Sequence, residues 1–101
     1  MTLDKTLINV FKVSKMEKKN LTQQMVKLAE EHGELAAAVL MHLGQKGTRM
    51  SKNEVRENVL EEGCDCLLMV LSILNKAGFK ENEINEMTKK KLKKWKDRLG
   101  K

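Results

Sequence analysis

Apolar residues recur along this chain at the three- and four-residue spacing of helices. Leu3, Leu7, Val10, Phe11 and Met16 form the first stripe and predict a helix over residues 3–18. Asn20 or Thr22 is placed to cap a second helix. Its stripe of Leu21, Met25, Leu28, Leu35, Val39 and Leu43 extends over residues 21–45, where Gly44 and Gly47 stop it. The segment from Gly44 to Met50 reads as the one long loop. Ser51 followed by Glu54 has the spacing of a capping box and opens a third helix over residues 52–76. That helix carries Val55, Val59, Cys66, Met69, Val70, Ile73 and Leu74, and Ala77-Gly78 ends it. A fourth helix over residues 82–99 has the stripe Ile84, Met87, Leu92, Trp95 and Leu99. No repeat, low-complexity tract or interdomain linker interrupts the series.

Composition strengthens the helical reading. The 101 residues include no proline, and Phe11, Phe79 and Trp95 are the only aromatics. Strands favour aromatic and β-branched side chains, whereas the dominant residues here, Leu, Met, Ala, Glu and Lys, are good helix formers. The chain is therefore expected to be all-α, a single domain over residues 1–101 built as a four-helix bundle. A domain of this size buries a modest core. Residues Ala36, Ala37, Ala38, Val39, Leu40 and Met41 run around nearly the whole circumference of the second helix. A helix apolar all round must be covered on more than one side, so completion of the bundle by a homodimer or tetramer is expected.

Charge narrows the partners. Twenty basic residues against 14 acidic ones give a formal net charge of +6, a balance that attracts polyanions. Between Lys89 and Lys101 there are eight basic residues and one acid, Asp97, whereas the acids cluster at 30–34, 54–65 and 81–86. A basic tail beside acidic clusters suits a metal ion and a phosphorylated ligand at least as well as nucleic acid. Cys64 and Cys66 point about 200° apart on a helix and no second pair exists for zinc, so they read as buried reduced thiols of a cytoplasmic protein. The N-terminus Met1-Thr2-Leu3-Asp4-Lys5 lacks the apolar core of a signal peptide. The longest apolar run, Cys66 to Leu71, is too short to span a bilayer, and no membrane association is expected.

The acidic residues of the two central helices carry the chemistry. Glu31 and Glu34 are three apart, hence about 60° apart in projection, and Leu28 and Leu35 flank them. The third helix repeats the device with Glu62 and Asp65, and Asp65 is the only charge between Gly63 and Asn75. An ionised carboxylate on so apolar a helix is costly unless something pairs with it. Two carboxylate pairs facing one another across a bundle make a cation site. Four oxygen ligands without His or Cys favour Mg²⁺, with Mn²⁺ as a substitute, over Zn²⁺. The alternative is an exposed row making ordinary i,i+4 pairs, such as Lys27 with Glu31. His32 points about 100° away from Glu31 and reads as a surface or interface residue; Trp95 reads as core or interface.

The order E-E-x-x-E on one helix and E-x-x-D on the next resembles the MazG-like all-α nucleoside triphosphate pyrophosphohydrolases. Glu30, Glu31 and Glu34 match the first motif, and Glu62 and Asp65 the second. The surrounding KLAEEHGELAAAV and VLEEGCDCLLMVL are also similar to that family. The likeness covers residues 21–74, and residues 3–18 carry no family signature. It implies Mg²⁺-dependent cleavage of an NTP or dNTP between its α- and β-phosphates, with Glu31, Glu34, Glu62 and Asp65 holding the metal. It also implies that Glu31, or Glu30 beside it, orients the attacking water and takes its proton. Lys27, one turn before Glu31, and Lys91, Lys94 and Arg98 on the fourth helix are the expected phosphate contacts.

Three other readings remain. A phosphoribosyl-ATP pyrophosphohydrolase-like enzyme would use similar acidic motifs on a similar fold, but LAEEHGEL is closer to the MazG-like pattern. A non-enzymatic basic helical module binding nucleic acid through residues 89–101 would explain the tail but not Asp65, so nucleic acid is the less expected partner. A regulatory protein that binds nucleotide without turnover would not need the full acidic set.

Overall fold

The computed structural model describes residues 3–100, with side chains from Lys5 onward. Met1 and Thr2 of the expected leaderless N-terminus, the Leu3 side chain of the first stripe, and Lys101 of the basic tail lie outside the described residues. Four helices follow in order: α1 (Leu3–Ser14), α2 (Leu21–His42), α3 (Lys52–Lys76) and α4 (Glu81–Leu99). No strand occurs among the described residues, so the all-α expectation holds. None of the four helices is long and apolar enough to cross a membrane.

The ends of the helices follow local chemistry. Asn20 caps α2 through a reciprocal box with Gln23, and Ser51 caps α3 through the box with Glu54 anticipated from the sequence. Both helices finish in the same paired motif. Gly44 and Gly78 take φ of +72° and +99°. The Gly44 and Gln45 amides donate to the Met41 and Leu40 carbonyls, and the Gly78 and Phe79 amides donate to those of Asn75 and Leu74. A side chain would be strained at either glycine. The helix expected over residues 3–18 stops four residues early. The Ser14 hydroxyl bonds back to the Phe11 carbonyl, and the Met16 and Glu17 amides close tighter i→i−3 turns.

Packing selects different faces from those the apolar stripes suggested. On α2 the buried residues are Gln24, Glu31 and Ala38, seven apart, with Leu28 and Leu35 half-buried between them. This four-three alternation is the seam of a helix pair. Leu21, Met25, Val39 and Leu43 of the expected stripe are exposed. On α3 Val55 and Leu71 are buried, and Val70 is exposed. The two helices run antiparallel: Gln24 meets Ser72 and Leu35 meets Gly63. Gln24 is fully buried yet satisfied, donating to the Lys19 carbonyl at 3.0 Å and accepting from the Ser72 hydroxyl at 2.6 Å.

α1 lies against the C-terminal half of α3. Phe11 is buried, and Asn75 Nδ2 donates to the Phe11 carbonyl at 3.3 Å and to Ser14 Oγ at 2.7 Å. α4 departs from the expected bundle. It buries no residue and packs along none of the other helices. Met87, Leu92, Trp95 and Leu99 of its stripe are exposed, and Ile84 alone is half-buried. The radius of gyration of 16.0 Å is that of a splayed chain; a compact chain of this length has about 13 Å. Met16 and Cys64 are exposed as well, and Cys66 is half-buried, so the thiols are not the buried pair anticipated.

Candidate metal centre

The α2–α3 seam places the expected carboxylates together. Glu31 sits at its middle, between Gln24 and Ala38, and is only 6% exposed. Antiparallel register brings Glu62 and Asp65 of α3 opposite, so that Glu31, Glu62 and Asp65 each offer an oxygen within 4.8 Å of the others. Glu34 lies at the rim, exposed but close enough to share a hydrogen bond with Glu62. Burial decreases outward from Glu31 through the half-buried Glu62 to the exposed Asp65. Asp65 is therefore the solvent-facing edge of the cluster rather than the buried charge that the apolar context of α3 implied.

Among the described residues, Lys27 balances these charges only in part. Lys27 Nζ pairs with Glu31 Oε1 at 3.1 Å and more loosely with Glu30 at 3.7 Å. Glu31 Oε2 and Glu62 Oε2 are buried and have no hydrogen-bond partner. Desolvation, the hydrogen bond with Glu34 and the neighbouring charges of Glu34, Glu31 and Asp65 push the Glu62 carboxyl up to about 7. The Lys27 ammonium is held above its ordinary range by its hydrogen bond and charge contact with Glu31. Cys66 lies on the face of Glu62, one turn on. Desolvation and then the charges of Glu31, Glu62, Asp65 and Glu34 raise its thiol, which disfavours the thiolate form. The i,i+4 spacing of Glu62 and Cys66 already put the thiol beside the carboxylates, a neighbour that the sequence reading missed.

Other expected site residues fall outside the cluster. Glu30 is exposed, about 100° around α2 from Glu31, and its one ion pair is the loose contact with Lys27. Lys27 is engaged by Glu31 instead of standing free for phosphate. Lys91, Lys94 and Arg98 are exposed on α4, which does not pack against the helices that carry the carboxylates. His32 is exposed, as its angular position indicated.

The donor set fits a hard divalent cation. It consists of carboxylate oxygens within 4.8 Å of one another, and Glu31 and Glu62 each carry a buried oxygen without a hydrogen-bond partner. A cation would satisfy both atoms and remove the cause of the raised Glu62 carboxyl. Such an arrangement can gather phosphate oxygens on its exposed side, where Asp65 and Glu34 leave access to solvent. No protein family, curated protein or solved structure matches this chain.

Proposed function

We propose that the chain is a Mg²⁺-dependent nucleoside triphosphate pyrophosphohydrolase of the MazG-like type, cutting an NTP or dNTP to the monophosphate and pyrophosphate in the cytoplasm. The observation that carries this reading is the buried Glu31 carboxylate, which has one oxygen without a hydrogen-bond partner and lies within 4.8 Å of carboxylate oxygens of Glu62 and Asp65 on the opposite helix. The two-motif resemblance supplies the reaction.

Glu31, Glu62 and Asp65, with Glu34 at the rim, would hold Mg²⁺ or Mn²⁺. When bound, the ion supplies charge that draws the phosphates together and makes water more acidic. The seam holds the Glu31 side chain in one position, so its carboxylate is pre-organised at no cost during the reaction. Its burial supports Glu31 over the solvated Glu30 as the group that orients the attacking water and accepts its proton. Lys27 Nζ lies 3.1 Å from Glu31 Oε1 and fixes that side of the carboxylate. Asp65 and Glu34 border the opening through which a triphosphate would enter.

An Mg²⁺-dependent screen of all NTPs and dNTPs, with phosphorus NMR of the products, tests the reading. Pyrophosphate and a monophosphate are the expected products; stoichiometric orthophosphate with a diphosphate would contradict the α–β cut. Including phosphoribosyl-ATP separates the two related enzyme classes. Mg²⁺-independent, salt-sensitive binding of DNA or RNA without turnover would instead favour the basic-module reading.

A further inference from the structure

α4 divides into two halves of opposite charge. Glu81, Glu83 and Glu86 lie in its first six residues, whereas residues 89–99 carry seven basic side chains against a single acid, Asp97. Lys89 and Lys93 are tied back to Glu86 and Asp97 at 3.6 and 2.9 Å, and all four side chains are open to solvent. Surface pairs of this kind constrain little. The basic half also carries an apolar strip. Leu92, Trp95 and Leu99 fall within about 60° of arc around the helix axis, and each is more than half exposed. Lys91 and Arg98 border the strip along one edge, and Lys96 and Lys89 along the other.

No tertiary contact accounts for the strip. Most of the stability of a helix in a folded protein comes from packing its apolar face. α4 packs along none of the other helices, and every residue from Asn85 to Leu99 is exposed. The borders of the strip restrict what can cover it. A protein groove deep enough for Trp95 would have to take up basic side chains along both edges, at a cost in desolvation. Nucleic-acid phosphates would match the charge but leave Leu92 and Leu99 in water. The surface of an anionic lipid bilayer answers both features. Its acyl chains receive the indole and the leucines, the long basic stems lie along them, and the charged heads stay among the headgroup phosphates. Such a surface repels the acidic first turns, so α4 is held by its C-terminal half. None of the four helices is long and apolar enough to cross a membrane. The expected absence of membrane association followed from the lack of a spanning segment, and a helix lying in the plane of the surface needs none.

We propose that α4 is a peripheral anchor that seats Leu92, Trp95 and Leu99 in the boundary between headgroups and acyl chains of an anionic bilayer. Insertion of three side chains and attraction of the flanking cations are each modest contributions, so the attachment is reversible, salt-dependent and lost when either is removed. It is independent of the metal reading of the carboxylate cluster.

Trp95 is the only tryptophan, so the intact protein carries its own probe. The protein is mixed with phosphatidylcholine vesicles that contain phosphatidylglycerol, and with vesicles of phosphatidylcholine alone. The expected result is flotation with the anionic vesicles only, reversed by high salt. Trp95 emission should shift to the blue on binding and be quenched by lipids brominated on their acyl chains. Leu92→Ser/Leu99→Ser keeps every charge and should bind about tenfold more weakly or worse. Lys91→Gln/Lys96→Gln keeps the strip and should also lose about tenfold or more. Bromolipid quenching of the unaltered protein decides the matter even where a variant loses helix. Failure of the wild type to float with anionic vesicles would overturn the proposal. So would flotation without quenching, or undiminished flotation of Leu92→Ser/Leu99→Ser, since either leaves contact through charge alone. Binding of a DNA or RNA oligonucleotide at a salt concentration where vesicles are not bound would assign α4 to nucleic acid instead. Trp95 emission already shifted to the blue in lipid-free protein, without vesicle binding, would assign the strip to a protein partner.

Discussion

A carboxylate nine-tenths buried, with one oxygen paired and the other not, raises the free energy of the fold unless further positive charge reaches it. Glu31 is in that position, and Glu62 and Asp65 add like charge across the seam. Asp65→Asn removes one of these charges from the exposed rim. It should abolish Mg²⁺-dependent pyrophosphate release, leave the circular dichroism of the helices unchanged, and raise the metal-free melting temperature by roughly 2–5 °C. Undiminished hydrolysis by this variant would take Asp65 out of the site. Glu62 provides a second test. Its carboxyl titrates near 7 in the fold instead of near 4.5. The folded state therefore binds this proton more tightly than the unfolded state does. The resulting stability is fully present below about pH 4.5 and is lost as pH rises through about 7. Metal-free urea melts across this window should show wild-type stability falling relative to Glu62→Gln. Parallel curves for the two proteins would exclude Glu62 as the responsible group.

At the scale of elements, the distance between α2 and α3 is held by small and polar residues at the seam. Ala38 is completely buried, a Cβ at Gly63 would come 4.0 Å from Leu35 Cδ1, and Gln24 is locked to Ser72. Glu31 is midway between Gln24 and Ala38, so the separation of the helices sets the reach from Glu31 to Glu62. Ala38→Leu forces three extra carbons into a filled seam and should cost about 1–3 kcal/mol, measured by urea denaturation. It should also lower pyrophosphate release about tenfold or more, although residue 38 is two turns from Glu31, because small misplacements of catalytic groups are costly. A destabilised variant with wild-type turnover at low temperature would show that the seam does not set the site.

For the whole molecule, a cation that binds the folded state alone must stabilise it by mass action. At a free Mg²⁺ concentration of 100 times its Kd the gain is about 2.7 kcal/mol. Denaturant melts with and without Mg²⁺ should show this gain, EDTA should reverse it, and Asp65→Asn should lack it. Equal midpoints with and without Mg²⁺ in the wild type would argue against the cation. The splayed arrangement, in which α4 packs along none of the other three helices, leaves the apolar side of α4 exposed in one copy.

Much of this was legible before the tertiary structure. Ser51–Glu54, Gly44 and Gly78 act on backbone groups within a few residues, so the limits of α3 could be read from order alone; α2, expected to residue 45, ends at His42, where the Leu43 amide and the turn through Gly44 close it. The paired spacing of Glu31–Glu34 and Glu62–Asp65 is likewise a property of a single helix. What each helix buries is decided by its neighbour. The stripe through Leu21, Met25, Val39 and Leu43 is a sound amphipathic pattern, yet α3 packs on the seam through Gln24, Glu31 and Ala38. Which of four similar carboxylates is buried, which lies at the rim, and that Glu30 is left outside depend on the antiparallel register of α2 and α3. Lys91, Lys94 and Arg98 were expected as phosphate contacts and Trp95 as core or interface, but α4 does not pack onto the α2–α3 pair. Local hydrogen bonds and periodicity act over a turn or two of chain, whereas register and helix docking are set by contacts among residues 30 to 60 positions apart, such as Gln24 with Ser72.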